Sequence, residues 1–490
     1  MRFTGKMLAI LLGLNLVIHP AYAKHRKRHL TPPAPTYTNQ SLITTINQIV
    51  NSGDPNAAVG IQIKSMKYGD TLYSRNSQQL FTPASILKIL TAEAALLYLG
   101  PHYTFSTRVA TNAKATNNGT LSGDLYLIHS GDPTLTYYDL ADLMVTLKSE
   151  QIQTIAGNVY IDNTAYDQNN IGPGWTDSDS KYCYAAPINA SIINHNCISF
   201  KITPAKVPGR LANIIQSPRF YYPGIENAII TKAAHASCAI HMHSTVNNLI
   251  TLNGCMAKGY YATGASIVVN NIIDFNKSMM HSLFNRFNIQ LNGTIYAKAA
   301  NPGLNTLAVH QSNPLHLLIN DMLKNSNNIT AGSLFKKIGQ SYTNQAGSWQ
   351  NGSFAITQIL GQKVGIHTSG LKIIDGSGLS RNNKVTPAQM MEALDFAFHH
   401  YTINYEFISA LPIAGVDGTL KHRFKNIAWK VRAKTGTIKG VVSLAGYAVS
   451  KNKEPFAFVI MINGHNGNSW KYREMEDKII TALTRYSRDS

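Results

Sequence analysis

The chain has 490 residues, of which 44% are hydrophobic and 14% are charged. This length and composition predict a globular protein with two or three domains and a large core. The formal net charge is +19, and six of the positive charges lie within residues 1–28, which leaves +13 for the rest of the chain. Such an excess favours an anionic neighbour, such as a cell wall or acidic lipid headgroups, although it could also serve solubility alone.

Residues 1–23 have the pattern of a cleaved secretory signal. Arg2 and Lys6 precede an apolar stretch over 7–18, and an Ala-Tyr-Ala cleavage motif follows at 21–23. An uncleaved anchor helix is the alternative, but the apolar stretch is short for a membrane span. Export argues against nucleic acid as the partner of the basic surface.

The signal is followed by a basic and then proline-rich stretch over 24–40, which predicts a flexible tail. Folding is expected to begin near Ser41 with a helix, and a strand is expected over 58–63. Short alternating segments recur between about 105 and 300, which indicates β-rich structure.

The next predicted helix after that first strand carries Ser85 and Lys88. Thr82 can cap its start, Pro83 suits its first turn, and a Gly-Pro pair at 100–101 ends it. Its many apolar positions predict a buried helix, which would hold a side chain near its start firmly.

Four cysteines lie in the β-rich stretch as two sequence-local pairs. An even number in an exported chain indicates disulfides, and the preferred pairing joins the two cysteines of each local pair, Cys183–Cys197 and Cys238–Cys255. Each bridge would contribute about 2–4 kcal/mol by restricting the unfolded chain. Zinc is the alternative, since three histidines lie close to the second pair: His235, His241 and His243. Export and cysteine parity favour disulfides, and no metal or other cofactor is expected.

The last part of the chain alternates helical and strand patterns. Helices are expected over 315–324, 329–338, 387–398 and 471–486, and strands over 431–437, 441–449 and 456–462. This order predicts an α+β catalytic domain with helices packed on an antiparallel sheet. Since Lys88 and Ser326 are separated by 238 positions, the β-rich stretch between them is expected to form one or two inserted domains.

Three short motifs occur in the order Ser-x-x-Lys, Ser-x-Asn and Lys-Thr-Gly, at 85–88, 326–328 and 434–436. A lysine three residues after a serine on one helix lies beside it, and it can act as the base that makes the hydroxyl nucleophilic. Ser-x-x-Lys alone is weak, because it recurs at four other places, whereas Lys-Thr-Gly occurs once. The three motifs in this order are typical of acyl-serine enzymes that bind penicillin.

From about residue 40 to the end, the chain resembles the class C low-molecular-mass penicillin-binding proteins, which are D-alanyl-D-alanine carboxypeptidase/endopeptidases. Longer segments carry the resemblance beyond the motifs, and they lie at 130–135, 375–381, 411–415, and 433–437 with 443–447. The four-cysteine layout is also similar to that of the Gram-negative members.

The resemblance implies a penicillin-recognising, serine transpeptidase-like fold that is split by two β-rich insertions. The catalytic domain would comprise residues 41–106 and 305–490. Inserted domain II would comprise 107–205 and 265–304, and inserted domain III would comprise 206–264.

The resemblance also implies roles for the residues of the first two motifs. Ser85 would attack the carbonyl of a D-Ala-D-Ala-type bond to form an acyl-enzyme, and Lys88 would take its proton. Lys88 must be neutral to do so, so its pKa has to fall through burial and the nearby charge of Lys434. Ser326 would relay a proton to the leaving amine, and Asn328 would hold the substrate amide.

The third motif would bind the other end of the substrate. Lys434 would attract the terminal carboxylate, helped by Thr435 and Thr437. The backbone amides of Ser85 and Thr437 would form the oxyanion hole. Gly436 would let the strand approach the ligand without a side chain in the way. Water would then release the acyl group, and this hydrolysis requires no metal.

In the family that this chain resembles, a carboxylate between a Pro-Gly-Trp segment and the first cysteine faces the free amine of the peptide stem. Here that segment lies at 173–175, and Asp179 lies four residues before Cys183. Asp179 could therefore pair with a diaminopimelate amine. Asp177 is the competing candidate, and a solvated loop carboxylate is the alternative interpretation of both.

Two positions depart from the family pattern. Asn327 stands where the family usually has an aspartate, and Gly332 stands where an acidic residue usually follows Ala331. The catalytic residues Ser326 and Asn328 remain, so the departures concern local hydrogen bonding and rate.

These observations together predict a periplasmic serine DD-peptidase that acts on peptidoglycan peptides and cross-links and binds β-lactams covalently. A β-lactamase-like hydrolase is the first alternative, and it would release its penicillin acyl group quickly. A non-catalytic wall-binding protein with a relict site is the second. The basic tail at 24–29 is interpreted as an attachment to an anionic envelope surface.

Overall fold

The computed structural model describes residues 37–488 except 115, 221 and 223. The expected secretory signal and most of the expected basic tail lie outside the described residues. Among those residues, the structure contains no helix that is both long and apolar enough to cross a membrane.

The α-helices of the described chain lie at both ends and between the sheets. They are α1 (Asn39–Asn51), α2 (Lys88–Tyr98), α3 (Tyr137–Ser149), α4 (Ile272–Arg286), α5 (Leu315–Lys324), α6 (Asn328–Thr343), α7 (Trp349–Ile359), α8 (Pro387–His399), α9 (Asn404–Ala410) and α10 (Trp470–Leu483). The helices expected from sequence in the last third of the chain are present, with ends shifted by up to five residues.

The strands are, in chain order, β1 (Ala58–Ser65), β2 (Thr71–Arg75), β3 (Ser106–Thr111), β4 (Thr116–Asn117), β5 (Thr120–Leu121), β6 (Leu125–His129), β7 (Thr154–Ile155), β8 (Val159–Asp162), β9 (Cys197–Thr203), β10 (Asn213–Ser217), β11 (Ile225–Lys232), β12 (Ile240–Ser244), β13 (Ile250–Ala257), β14 (Thr263–Val268), β15 (Gln290–Leu291), β16 (Ile295–Ala297), β17 (Asn305–Gln311), β18 (Val431–Ile438), β19 (Val441–Val449) and β20 (Pro455–Asn463).

The central sheet of the molecule joins the two ends of the chain. Its five strands are antiparallel in the order β18-β19-β20-β1-β2, so the strand with the Lys-Thr-Gly motif lies at one edge. The predicted class, an α+β fold with helices packed on an antiparallel sheet, is confirmed.

Both faces of this sheet are covered, because strand β20 alternates between two cores. Phe456, Phe458 and Ile460 pack on the side of α1 and α10. Val459 and Met461 pack on the opposite side, with α2 and α8. A strand buried on both faces has an unbroken apolar sequence, and residues 455–462 have that pattern.

The stretch between α2 and α5 forms four further sheets. Their strand orders are β16-β8-β6-β3-β17, β15-β7-β5-β4, β10-β9-β14 and β11-β13-β12. One hydrophobic cluster runs through the whole stretch, from Val109 to Ala308. The division of this stretch into two inserted domains therefore stays a prediction.

Helices α3 and α4 were not expected in the β-rich stretch. In α3, Thr136 and Asp139 form a capping box, and Leu140, Leu143 and Leu147 repeat at helical spacing. These signals were available in the sequence. The flanking strand patterns masked them.

The cysteines pair as expected. Cys183 is bonded to Cys197 and Cys238 to Cys255, with Cα atoms 5.9 Å and 5.1 Å apart. Because both cysteines of the second pair form a disulfide, neither offers a thiolate to zinc.

Candidate active site

Ser85 lies on a single 3₁₀ turn, Ala84–Leu87, which leads directly into α2. The turn begins at Ala84 with a φ of 50°, in the left-handed region. The expected cap by Thr82 is wrong: the turn has no side-chain cap, and the Thr82 hydroxyl accepts a hydrogen bond from Lys384 Nζ at 2.8 Å. The serine is therefore positioned by tertiary contacts as well as by its helix.

Lys88 is completely buried beneath Ser85 and has three polar neighbours. Its Nζ lies 3.1 Å from Ser85 Oγ, 2.6 Å from Asn328 Oδ1 and 2.7 Å from the carbonyl oxygen of Ser377. The structure thus brings together the lysine and serine of the first motif and the asparagine of the second.

Burial lowers the pKa of Lys88 to about 7, and the negative charge of Asp375 opposes this shift. Burial, and secondly the charge of Lys88, hold the pKa of Lys434 well below its ordinary value. The expected fall in the pKa of Lys88 through burial is therefore present. The two lysines repel each other, and this repulsion lowers the pKa of the pair as a whole.

Asp375 organises the loop that holds Lys88, a role that the short motifs do not predict. The fully buried carboxylate accepts hydrogen bonds from five donors: Trp175 Nε1, Ser377 Oγ, the Gly378 and Ser380 backbone amides, and Asn383 Nδ2. These bonds fix the loop so that the Ser377 carbonyl faces Lys88. Its position in the segment 375–381, which carried the family resemblance, was the available signal.

The second motif joins α5 to α6. Ser326 has a φ of 58°, and its Oγ accepts a hydrogen bond from Lys434 Nζ at 2.9 Å. Asn328 is the first residue of α6, and its Nδ2 donates to the carbonyl oxygen of Tyr184 at 2.9 Å. The side chain of Asn328 therefore lies between Lys88 and Tyr184.

Asn327, the residue between Ser326 and Asn328, has a structural function. Its Oδ1 accepts hydrogen bonds from Ile329 N and Thr330 N, which caps α6. Its Nδ2 donates to Asp321 Oδ2 at 2.9 Å. An aspartate at this position could still cap the helix, but it could not donate to Asp321.

The second departure, Gly332, has a packing reason. A Cβ at this position would lie 2.9 Å from Ile188 Cγ1 and 3.4 Å from Trp349. The glycine lets Ile188, which follows Cys183 in the chain, approach α6 closely.

The third motif lies along edge strand β18. Lys434 is completely buried, and its Nζ also donates to the Thr435 carbonyl oxygen at 2.8 Å. Thr435 Oγ1 donates to Thr419 Oγ1 at 2.8 Å, and Thr437 Oγ1 accepts from Arg473 Nη2 at 3.3 Å.

Gly436 allows a close approach between β18 and the serine turn. A Cβ there would lie 2.2 Å from Ser443 Oγ, 2.9 Å from the Pro83 carbonyl oxygen and 3.0 Å from Ser85 N. The sequence predicts that Gly436 lets the strand approach a ligand, whereas these neighbours are protein atoms.

A cleft of about 350 Å³ opens between these elements. It is lined by Ser85, Ser326, Thr419, Arg423, Thr435, Thr437 and Arg473. Three of these residues, Thr419, Arg423 and Arg473, were missed by the sequence analysis. They belong to no short motif, and only the packing of the loop 415–430 and of α10 on the central sheet brings them to the cleft.

Asp179 does not line this cleft, but it is linked to the second motif. Its Oδ1 accepts from the Tyr184 hydroxyl at 3.1 Å, and its Oδ2 lies 3.5 Å from Arg381 Nη1. Burial alone would raise the pKa of Asp179, but hydrogen bonds from Thr176 and Tyr184 and the charge of Arg381 hold it below its ordinary value. Asp177, the competing candidate, is exposed.

Comparisons with known proteins agree on one family. The model of the D-Ala-D-Ala carboxypeptidase 3 (S13) family matches residues 42–486. D-alanyl-D-alanine carboxypeptidase DacB of Haemophilus influenzae is 31% identical over 439 residues, which cover 88% of this chain and 90% of that protein. A D-alanyl-D-alanine carboxypeptidase of an Actinomadura species is 31% identical over 453 residues, with coverage of 88% and 82%.

The solved structures agree with the sequence comparisons. The crystal structure of penicillin binding protein 4 (dacB) from Haemophilus influenzae is similar with a TM-score of 0.81 at 30% identity, over 90% of this chain and 99% of that one. A structure of the same protein complexed with a β-lactam has a TM-score of 0.75. The match of the family model across nearly the whole described chain means that this chain belongs to the D-Ala-D-Ala carboxypeptidase 3 (S13) family.

Proposed function

We propose that the chain is an exported, serine-type D-alanyl-D-alanine carboxypeptidase and endopeptidase of the periplasm. It removes D-Ala from peptidoglycan stem peptides, cleaves their cross-links and binds penicillin covalently. The observation that carries the proposal is the 3.1 Å contact between Ser85 Oγ and the buried Nζ of Lys88. Membership of the S13 family and the β-lactam complex of the Haemophilus relative support it.

Lys88 acts as the base in this mechanism. With its pKa lowered to about 7, a large fraction of the lysine is neutral near neutral pH. A neutral amine has two N–H donors and one lone pair. The donors go to Asn328 Oδ1 and the Ser377 carbonyl oxygen, so the lone pair is available to the hydroxyl of Ser85.

Acylation then transfers one proton from the serine to the leaving amine. Lys88 takes the proton of Ser85 as Oγ bonds to the carbonyl carbon. When the C–N bond breaks, Ser326 relays to the departing nitrogen the proton that Lys88 took, so that Lys88 and Ser326 both end the step as they began it. Lys434 donates to Ser326 Oγ, which leaves the serine's own hydrogen free to point at the substrate.

The third motif stabilises the charges of the substrate. The oxyanion would be bound by the backbone amides of Ser85 and Thr437, and removal of one such donor typically slows the reaction by about 10²–10³. The terminal carboxylate would lie near Lys434, Thr435 and Thr437. Since Lys434 has no acidic partner among the described residues, a substrate carboxylate would supply its missing counter-charge.

The stem peptide is proposed to reach Asp179 with its side-chain amine. The pKa of Asp179 is held below its ordinary value, so the carboxylate is ionised at neutral pH. Tyr184 connects Asp179 to Asn328, so an amine bound to Asp179 would lie close to the second motif. Arg381 competes for the same carboxylate. A diaminopimelate amine would therefore have to share Asp179 with the guanidinium.

Incubation with benzylpenicillin followed by mass spectrometry of the peptides tests the proposal. We expect a stable adduct on Ser85 that Ser85→Ala abolishes. Ser369→Ala is the matched control, because Ser369 and Lys372 form a second Ser-x-x-Lys pair on the exposed surface. Persistent labelling of Ser85→Ala would move the nucleophile elsewhere. Rapid release of the adduct would favour a β-lactamase-like hydrolase, and no adduct would favour a relict site.

A further inference from the structure

Arg473 lies on α10, near its start, and its side chain reaches the rim of the active-site cleft. Its Nη2 donates a hydrogen bond to Thr437 Oγ1 at 3.3 Å, and the residue lines the same cleft as Ser85 and Ser326. α10 lies more than a hundred residues beyond Ser326, so only the packing of this C-terminal helix on the central sheet brings the guanidinium to the cleft.

The other arginine of the cleft, Arg423, is already neutralised. Its Nη2 lies 2.9 Å from Glu476 Oε2 and 2.5 Å from Asp477 Oδ1. The same nitrogen donates to the carbonyl oxygen of Arg473 at 3.3 Å. Arg423 thus anchors the first turns of α10 and fixes the backbone from which Arg473 projects.

The guanidinium of Arg473, by contrast, lies within 4.0 Å of no carboxylate oxygen in the part of the chain that the structure describes, although its charge opposes the rise that burial causes in the pKa of Glu476 and Asp477. The side chain is exposed, so water is its remaining partner. A planar guanidinium retains its charge at all working pH values, and its paired N–H groups match the two oxygens of a carboxylate.

Lys434 is less suited to be the sole anion-binding group. It is completely buried, and burial together with the charge of Lys88 holds the pKa of Lys434 well below its ordinary value. Of the two arginines of the cleft, Arg473 is therefore the one whose permanent charge is not ion-paired with a carboxylate.

We propose that Arg473 binds the carboxylate that follows the scissile bond, together with Thr437, and thereby selects substrates with a free carboxylate at that position. This inference rests on the proposed peptidase function and adds a specificity-determining residue to it. The hydrogen bond from Arg473 to Thr437 would hold the guanidinium and the threonine hydroxyl toward the same oxygen of the ligand. Arg473 would therefore also orient the hydroxyl of Thr437.

The test compares two peptides that differ only at the carboxylate: diacetyl-Lys-D-Ala-D-Ala and its C-terminal amide. In Arg473→Gln, kcat/KM for the acid should fall about tenfold, since an exposed, charge-assisted contact is lost. The kcat/KM for the amide should stay within about twofold of the wild type, because its neutral end gains little from a cation. Lys471→Gln is the matched control: it removes an exposed cation from the same helix and should leave both values unchanged.

The two proposals fail in distinguishable ways. A wild-type protein that cleaves neither peptide and is not acylated at Ser85 would refute the peptidase function itself. An active wild type whose Arg473→Gln variant loses acid and amide equally would make Arg473 a purely structural residue and overturn the inference. If the ratio of kcat/KM for the acid to kcat/KM for the amide is the same in Arg473→Gln as in the wild type, the inference is overturned as well. Thermal unfolding of each variant checks that the fold is retained.

Discussion

The replacement Asn327→Asp tests whether the hydrogen bond from the Asn327 amide to Asp321 stabilises the fold. In the structure, Asn327 Nδ2 donates to Asp321 Oδ2 at 2.9 Å, while Oδ1 caps α6. An aspartate would keep the cap and add about 0.3–1 kcal/mol from the helix dipole. It would lose a hydrogen bond to a charged group, which contributes about 1.5–3 kcal/mol, and would place two carboxylates side by side. We expect a net loss of about 2 kcal/mol in the free energy of unfolding at neutral pH.

The loss should depend on pH in a defined direction. Repulsion would raise the pKa of one carboxyl in the folded variant above its unfolded value of about 4. A group with a raised folded pKa gives its full stability below the unfolded pKa, and that stability is lost as the pH rises through the folded value. The difference from wild type should therefore be small near about pH 4 and largest above about pH 6.

Urea unfolding at several pH values measures this effect, and the rate of labelling by fluorescent penicillin reports whether the second motif is displaced. The double variant Asn327→Asp/Asp321→Asn restores a donor opposite the new carboxylate, and it should recover most of the lost stability. If the single variant is as stable as the wild type at neutral pH, or if the double variant recovers nothing, the reasoning is refuted.

Three other predictions follow from the site. Acylation by penicillin should rise with pH and level off above about 7, because Lys88 must be neutral; a rate that falls over this range would contradict its role as base. Burial raises the pKa of Glu93, so its ionisation at alkaline pH opposes folding, and Glu93→Gln should be more stable than the wild type in urea unfolding at alkaline pH. If the wild type and the variant lose the same free energy of unfolding as the pH rises, this reasoning is excluded. Asp179→Asn should slow cleavage of peptides with a free side-chain amine more than of acetylated ones, and equal losses would count against the pairing.

Much of the fold could be predicted because its signals are local. The apolar stretch at 455–462 predicted a buried strand, and β20 is that strand; the structure shows it buried on both faces. Parity and export predicted disulfides, and closeness in sequence predicted the pairs Cys183–Cys197 and Cys238–Cys255. Helices α3 and α4 were missed, although their caps and periodicity were present, because neighbouring strand patterns dominated the interpretation.

The sequence by itself determined the pairing of Ser85 with Lys88, because three residues along one turn must lie side by side whatever the rest of the chain does. It did not determine the environment that makes this lysine a base. The Ser377 carbonyl that faces Lys88 lies 289 positions away, and Arg473 comes from the last helix. Burial and the convergence of distant polar groups depend on how the two ends of the chain pack into one sheet, so only the tertiary structure decided them.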